Sequence, residues 1–211
     1  MKIPSNYLLV EVESLMNDKM ELESGVTLYR PLDIGDRQWF FKTKGKVVAT
    51  PEKLTNYFTK CNINKKEMRT HKDMHLLYEV GDEVHFNYLS LNRTHQFINP
   101  DDATKLLFLI VYDNIHYGVR NGQMIVNTGR CILKPIDEVQ LRTTKLIIPP
   151  SFKKKSVTTA EVIGVGMPWA KTKIVELNAG DVVVYDKKEG DWVGRENEWL
   201  SVYHDHIHMI L

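Results

Sequence analysis

The amino-acid sequence predicts an all-β fold made of two tandem small β-barrels, the first of which carries insertions. Three observations support this prediction. Short apolar segments with period-two alternation recur along the chain and are separated by turn residues. Sustained helical periodicity is almost absent. Similar segments also occur in the same order in the two halves, which predicts that one structural unit is present twice.

Matching apolar segments predict the opening strand of each half. NYLLVEVE at Asn6–Glu13 and GRCILKPI at Gly129–Ile136 both alternate after a short apolar start. A second pair of strands is predicted at Lys46–Ala49 and Glu161–Gly166. Alternation of this kind directs one face of a strand to a core and the other face to solvent.

Gly-Asp turns predict the next strand of each half. YEVGDEVHF at Tyr78–Phe86 corresponds to LNAGDVVVY at Leu177–Tyr185, and in each an alternating segment follows the turn. The closing segments are LIVYDNIH at Leu109–His116 and LSVYHDHIH at Leu200–His208, the second with one inserted residue. Several matches in one order argue against coincidence.

The boundary between the two predicted domains falls after Asn127, which gives domains at 1–127 and 128–211. The first domain is longer because it carries insertions near 51–75 and near 92–105. The first insertion is polar and rich in lysine, and the second contains an Asn-Pro-Asp-Asp turn.

Composition limits the kinds of partner and the compartment. Lys and Arg number 28 against 27 Asp and Glu, a formal charge of +1, which argues against bulk electrostatic binding to nucleic acid or to an anionic membrane. Cys61 and Cys131 lie far apart without a paired-cysteine motif, so neither a disulfide framework nor a zinc site is indicated. No apolar run has the length of a membrane span or of a signal peptide. We therefore expect a cytoplasmic protein, in the host cytoplasm or the virion if it is viral.

No motif predicts catalysis. The patterns GxxxxGK[ST], GxSxG, HExxH and GxGxxG are absent, so the sequence predicts a protein that is not an enzyme and needs no cofactor. His204, His206 and His208 have the spacing that would place three imidazoles on one face of a strand, where they could reach a metal ion. A solvated or interfacial histidine face is the favoured interpretation.

An aliphatic triplet stands in a polar segment at 142–157, RTTKLIIPPSFKKKSV. Leu146, Ile147 and Ile148 are followed by two prolines and three lysines. Proline removes an amide donor and disfavours a central strand, although an edge strand stays possible. Two interpretations are open: an interaction loop, or an apolar segment packed on the barrel rim.

The second half resembles the GroES co-chaperonin family in the order of these features. It has an opening strand ending in PIDEV at 135–139, a loop with the triplet at 146–148, the strand AEVIGVG at 160–166, and the LNAGDVVVY segment. The first half resembles the same domain more distantly, with SGVTL at 24–28 in the position of the loop. The resemblance implies a small β-barrel fold and assembly into a homo-oligomer that caps a chaperonin ring.

The resemblance also implies which residues contact the chaperonin: Leu146, Ile147 and Ile148 in the second half, and Val26, Thr27 and Leu28 in the first. Burying three aliphatic side chains yields roughly 5–9 kcal/mol. Ordering ten loop residues costs on the order of 10 kcal/mol. A single loop is therefore expected to bind weakly, and a symmetric oligomer that presents several loops gains avidity.

Two other classes of function stay open. The same pair of barrels can serve as a non-catalytic structural or assembly protein, for example an auxiliary component of a viral particle, because a fold does not fix a function. A nucleic-acid reader that uses a barrel face is disfavoured by the near-neutral charge.

Overall fold

A computed structural model describes residues 2–12, 19–21, 27–29, 43–54, 58–60, 68–70, 75–91, 95–99, 102, 105–136, 157–168, 176–186, 190–193 and 199–211. The predicted all-β fold is confirmed: these residues contain antiparallel strands and short 3-10 turns, and no α-helix. Among them there is also no helix of the length and apolar character needed to cross a membrane.

Seventeen strands lie within the described ranges. Those of the first half are β1 Tyr7–Val12, β2 Lys19–Glu21, β3 Thr27–Tyr29, β4 Lys44–Ala49, β5 Phe58–Lys60, β6 Met68–Thr70, β7 Glu83–Phe86, β8 Gln96–Ile98, β9 Leu106–Val111, β10 Ile115–Arg120 and β11 Gln123–Val126. Those of the second half are β12 Arg130–Pro135, β13 Val157–Val165, β14 Val182–Asp186, β15 Asp191–Val193, β16 Trp199–Tyr203 and β17 Ile207–Ile210.

The two large sheets have the same strand order. The first runs β11-β10-β7-β4-β1-β9-β8 and the second, read from its other end, runs β17-β14-β13-β12-β16-β15. Each strand of the second sheet therefore has a counterpart in the first, and β11 is the additional one. The hairpins β2-β3 and β5-β6 form separate two-stranded sheets.

Residues 92–105 were predicted to be an insertion, but they contain β8. This strand is the counterpart of β15 in the second sheet. β8 pairs with β9 in the same way that β15 pairs with β16. The sequence comparison did not match Gln96–Ile98 with Asp191–Val193, because three residues are too few to carry a repeat pattern. The 51–75 insertion contains the β5-β6 hairpin.

The register of the two sheets agrees in detail. The pairing of β1 with β4 shifts between Leu9 and Val10, and the pairing of β12 with β13 shifts between Ile132 and Leu133. A bulge bends a strand at a fixed position. The residue before each opening strand has a positive φ, 68° at Asn6 and 79° at Gly129.

The predicted Gly-Asp turns have the same geometry in both halves. Gly81 and Gly180 have φ values of 101° and 93°, which favour glycine. The Asp82 carboxylate accepts the Glu79 amide at 2.8 Å, and the Asp181 carboxylate accepts the Asn178 amide at 2.8 Å. These turns were predictable because every interaction that forms them lies within four residues.

An ion pair distinguishes the first turn from the second. The Arg120 guanidinium donates to both carboxylate oxygens of Asp82, with Nε at 2.9 Å and Nη2 at 2.7 Å. This hydrogen bonding holds the pKa of Asp82 below its usual range. β10 is thereby attached to the turn that precedes β7.

The closing segments match without the inserted residue that the sequence comparison required. Tyr112–Asn114 and His204–His206 are both 3-10 turns, and Ile115 and Ile207 begin the strands that follow. The amide of Tyr112 donates to the Asn6 carbonyl at 2.8 Å, as the amide of His204 donates to the Gly129 carbonyl at 3.0 Å.

Three apolar clusters contain most of the buried apolar side chains of the described residues. One lies within the first sheet around Leu8, Phe86 and Phe108, and one within the second around Leu133 and Tyr185. The third joins the two halves, and its members are Tyr117, Val126, Ile132 and Val193, with Val119, Met124, Ile163 and Trp199 packed against them.

Candidate partner-binding site and the domain junction

The predicted partner-binding residues of the second half lie outside the described residues. Leu146, Ile147 and Ile148 belong to the segment 137–156. The two ends of this segment are held side by side, since Pro135 pairs with Ala160 and the Ile136 amide donates to the Thr159 carbonyl at 3.0 Å. The segment is thus a connection between two adjacent antiparallel strands.

The corresponding connection of the first half runs from β1 to β4. Thr27 and Leu28 lie in β3, where Leu28 pairs with Met20 and Thr27 pairs with Glu21, and Val26 lies outside the described residues. Because β1 and β4 are the counterparts of β12 and β13, both candidate segments leave their sheets at the same place. Partner binding by these six residues stays a prediction.

The histidine segment at 204–208 does not form one strand, so the predicted alignment of three imidazoles is wrong. His204 is buried in a 3-10 turn with its Nε2 3.2 Å from the Arg130 carbonyl oxygen, whereas His208 is exposed on β17. Within the described ranges no group of three His, Cys, Asp or Glu side chains is placed to hold a metal ion.

The junction between the halves is a polar site that the sequence did not predict. Arg130 is 3% exposed, and its Nη2 donates to the Asp113 carbonyl at 3.0 Å and to the Tyr203 hydroxyl at 2.9 Å. Nη1 donates to the Ser201 hydroxyl at 3.2 Å. The guanidinium carbon also lies 4.3 Å from the Tyr203 ring centroid. One side chain therefore connects the second sheet to the turn after β9.

Asn127, the residue at the boundary, is held to the first half by its own donors. Its side-chain amide donates to the carbonyls of Tyr112 and Ile115 at 2.9 and 2.8 Å, and its backbone amide donates to the His116 carbonyl at 3.0 Å. Asn127 was recognised in the sequence as a boundary residue only. A boundary asparagine gives no local signal that it will satisfy the carbonyls of a distant turn.

Aromatic side chains cover this junction. Tyr117 stacks on His85 with ring centroids 4.3 Å apart, and its ring lies 6.1 Å from that of Trp199. Burial raises the pKa of Tyr117 to about 12, with the Glu83 carboxylate adding to the shift. Tyr117 is therefore neutral at physiological pH and can be buried without a counter-ion.

His116 gives the junction a pH dependence. Burial lowers the pKa of His116 well below 6.5, and the positive charges of Arg130 and His85 lower it further. Above pH 6.5 the side chain is neutral in both the folded and the unfolded state. Below pH 6.5 the unfolded chain binds a proton that the folded chain does not, so stability falls with pH by up to about 1.4 kcal/mol per pH unit.

We therefore expect urea unfolding midpoints to fall between pH 7.5 and 5.5, and His116→Asn to reduce this slope. Burial also lowers the pKa of His204, so His204→Asn is expected to reduce the slope as well. His75→Gln, a change at an exposed residue, is the control and is expected to leave the slope unchanged. Equal slopes in all four proteins would contradict a buried neutral histidine.

The fold and the junction define a protein of two similar antiparallel β units in one chain. Residues 123–211 match the family model described as Chaperonin 10 Kd subunit. The second half is therefore a GroES-like β-barrel domain of this family, as its sequence predicted, and residues 1–122 lie outside the match. A sequence search of the curated proteins found no match for the chain.

The matched region begins at Gln123, the first residue of β11. By sequence, β11 thus belongs to the family unit of the second half, but by hydrogen bonding it extends the sheet of the first half. The division into domains at 1–127 and 128–211 stays a prediction, because a strand from one unit is paired with the other.

Proposed function

We propose that this protein is a co-chaperonin-like cap that closes a GroEL-like chaperonin ring through apolar loops and so assists protein folding. The match of residues 123–211 to the chaperonin 10 family carries the proposal. In it, Leu146, Ile147 and Ile148 are the main contact, and Val26, Thr27 and Leu28 are a second one. The protein is not an enzyme, and ATP hydrolysis belongs to the chaperonin.

The placement of the loops supports this function. Both loops connect corresponding strands and leave their sheets at corresponding places, so a chain can present two of them in similar orientations. Because a single loop binds weakly, a cap needs several loops at once. A cytoplasmic homo-oligomer formed from tandem units provides them, and the tandem arrangement itself is part of the proposal.

The double variant Ile147→Ser/Ile148→Ser tests the proposal. We expect it to abolish stimulation of chaperonin-assisted refolding of a chaperonin-dependent client, because the apolar contact is lost, while the melting temperature stays unchanged. Leu89→Ser, which alters a leucine 69% exposed and far from the loops in sequence, is the matched control and is expected to keep full stimulation. The double variant Val26→Ser/Leu28→Ser is expected to reduce stimulation less.

Two outcomes would contradict the proposal. Protection of residues 143–155 from protease in the isolated protein, together with a large fall in melting temperature in the loop variant, would favour the segment packed on the barrel rim. Failure of the wild-type protein to bind any chaperonin would favour the structural or assembly protein.

A further inference from the structure

Two corresponding histidines of the two halves differ in burial. His116 is the extra residue of a bulge in β10, where the pairing with β7 shifts after Ile115. His208 is the extra residue of the corresponding bulge in β17, where the pairing with β14 shifts after Ile207. His116 is 1% exposed, whereas His208 is exposed. The two halves therefore place the same residue type at the same position in different surroundings.

The contact between the halves accounts for this difference. The Asn127 amide donates to the His116 carbonyl at 3.0 Å, and Arg130 Nη2 donates to the carbonyl of Asp113, three residues earlier, at 3.0 Å. β11 lies beside β10, whereas within the described ranges no strand lies beyond β17 in the second sheet. His116 is therefore buried because the segment that joins the halves lies against it.

A second pair of corresponding residues shows no such difference. His204 takes the position of Tyr112, and the two are 2% and 1% exposed. Burial at this position occurs in both halves, so each half provides it from its own sheet. We therefore expect His204 to become accessible when its own sheet unfolds, and His116 to become accessible when the contact between the halves opens.

The closed contact disfavours a proton on His116. Burial lowers the pKa of His116 well below 6.5, and the positive charges of Arg130 and His85 lower it further. The Nδ1 atom of His116 has no hydrogen-bond partner. The nearest acid on β7, Glu83, lies 3.3 Å from the Nε2 atom of His85.

No acidic group compensates for a charge at this position. Among the described residues, neither Asp113 nor any other carboxylate forms an ion pair with His116. Tyr78 packs on Gly118 of the same strand, and burial raises its pKa well above 10, so it is neutral. A protonated His116 would thus stand beside a buried guanidinium without a counter-ion.

We infer that the contact between the two halves is a proton-sensitive switch: protonation of His116 releases Asn127 and Arg130 from the turn after β9 and uncovers Val193, while both sheets stay folded. An accessible histidine has a pKa of about 6.5. Because His116 binds the proton in the open form and not in the closed form, acid favours the open form. Its population is expected to rise about tenfold between pH 7.5 and pH 5.5.

Opening exposes apolar surface on both halves. Val193 and Ile132 are 1% and 0% exposed, and they belong to the cluster in which Tyr117 and Val126 lie against them. These side chains lose their apolar contacts when the halves separate, so the closed form is restored once the proton leaves. The inference does not rest on the proposed function, because it is argued from the junction within the chain and its test uses no chaperonin.

Thiol labelling of the Val193→Cys variant of the full chain measures the opening. The labelling rate is divided by that of an unstructured peptide at the same pH, and mass spectrometry of peptides separates this thiol from Cys61 and Cys131. We expect the corrected rate to rise about tenfold between pH 7.5 and pH 5.5. Val183→Cys, at a 0% exposed position in the core of the second sheet, is the matched control. It is expected to react far more slowly at both pH values, because its sheet must unfold first.

Substitution of each histidine assigns the pH dependence. In the Val193→Cys background, His116→Asn is expected to abolish the tenfold rise, because the side chain no longer titrates. His208→Asn changes the corresponding exposed histidine and is expected to keep the rise. Should His116→Asn fail to fold, the comparison of Val193→Cys with Val183→Cys still tests the inference, since it needs no change at His116.

Three outcomes would overturn the inference. A corrected labelling rate of Val193→Cys that does not change with pH would exclude a proton-sensitive contact. Equal rates for Val193→Cys and Val183→Cys would show that only global unfolding uncovers Val193. A rise that persists in His116→Asn would assign the pH dependence to another group. Failure of the protein to bind a chaperonin would overturn the proposed function and leave this inference standing.

Discussion

Replacing Arg130 by methionine is expected to lower the free energy of unfolding by about 2–4 kcal/mol. The guanidinium is the hydrogen-bond donor to the Asp113 carbonyl and to the hydroxyls of Tyr203 and Ser201. A buried acceptor left without a donor costs about 1–3 kcal/mol. Removal of a buried charge returns part of this cost, and methionine fills the volume of the aliphatic stem.

Two further variants separate the interactions through which Arg130 stabilises the fold. Arg130→Lys keeps the charge but lacks the planar guanidinium with its several donors. We therefore expect it to lose most of the unfolding free energy that Arg130→Met loses. Tyr203→Phe removes one acceptor but keeps the aromatic ring beside the guanidinium. We expect it to lower the free energy of unfolding by about 1 kcal/mol. Urea unfolding followed by tryptophan fluorescence measures all three variants, because Trp199 lies at the junction. Equal stability of Arg130→Met and wild type would show that the junction does not depend on these bonds.

Local features of the fold were predictable and long-range ones were not. The turns at Gly81 and Gly180 need only a glycine with positive φ and an aspartate that accepts a nearby amide. The strand β8 was missed because strand pairing is decided by contacts with β9 that its own three residues do not encode. The junction was missed for the same reason, since Arg130 and Asn127 both donate to carbonyls in or beside the turn after β9, which are distant in the sequence.

The closing segments show how pattern matching fails. Aligning the apolar residues of the two halves required an inserted residue and treated His204–His208 as a strand. In the structure both segments turn through a 3-10 turn, and His204 takes the place of Tyr112. A buried histidine and a buried tyrosine fill corresponding positions, although their side chains differ in polarity. The candidate loop at 146–148 was predicted from the sequence pattern and the family resemblance, and its role stays a prediction.

Gly166→Ala is expected to have the largest effect of any single methyl group added to the described residues. A Cβ at Gly166 would lie 2.0 Å from the Asn127 carbonyl oxygen and 3.1 Å from that of Arg130. Both atoms are backbone, so no side-chain rotation relieves the overlap. The Gly166 amide also donates to the Arg130 carbonyl at 2.9 Å, which holds the two strands at this distance.

The effect on stability depends on Asn127, the residue that the new methyl group would displace. Moving Asn127 away from Gly166 disturbs its three hydrogen bonds to the first half, so the overlap is transmitted to the junction. Overpacking a close-packed site lowers the free energy of unfolding by about 1–3 kcal/mol. Because the new methyl group meets fixed backbone atoms, we expect Gly166→Ala to lose about 3 kcal/mol or more. Gly190→Ala is the matched control, because the nearest atoms to its Cβ would be side-chain atoms, with Val202 Cγ1 at 3.1 Å and Leu200 Cδ2 at 3.4 Å. Its expected loss is below about 1 kcal/mol, and similar melting temperatures for the two variants would contradict a rigid junction at Asn127.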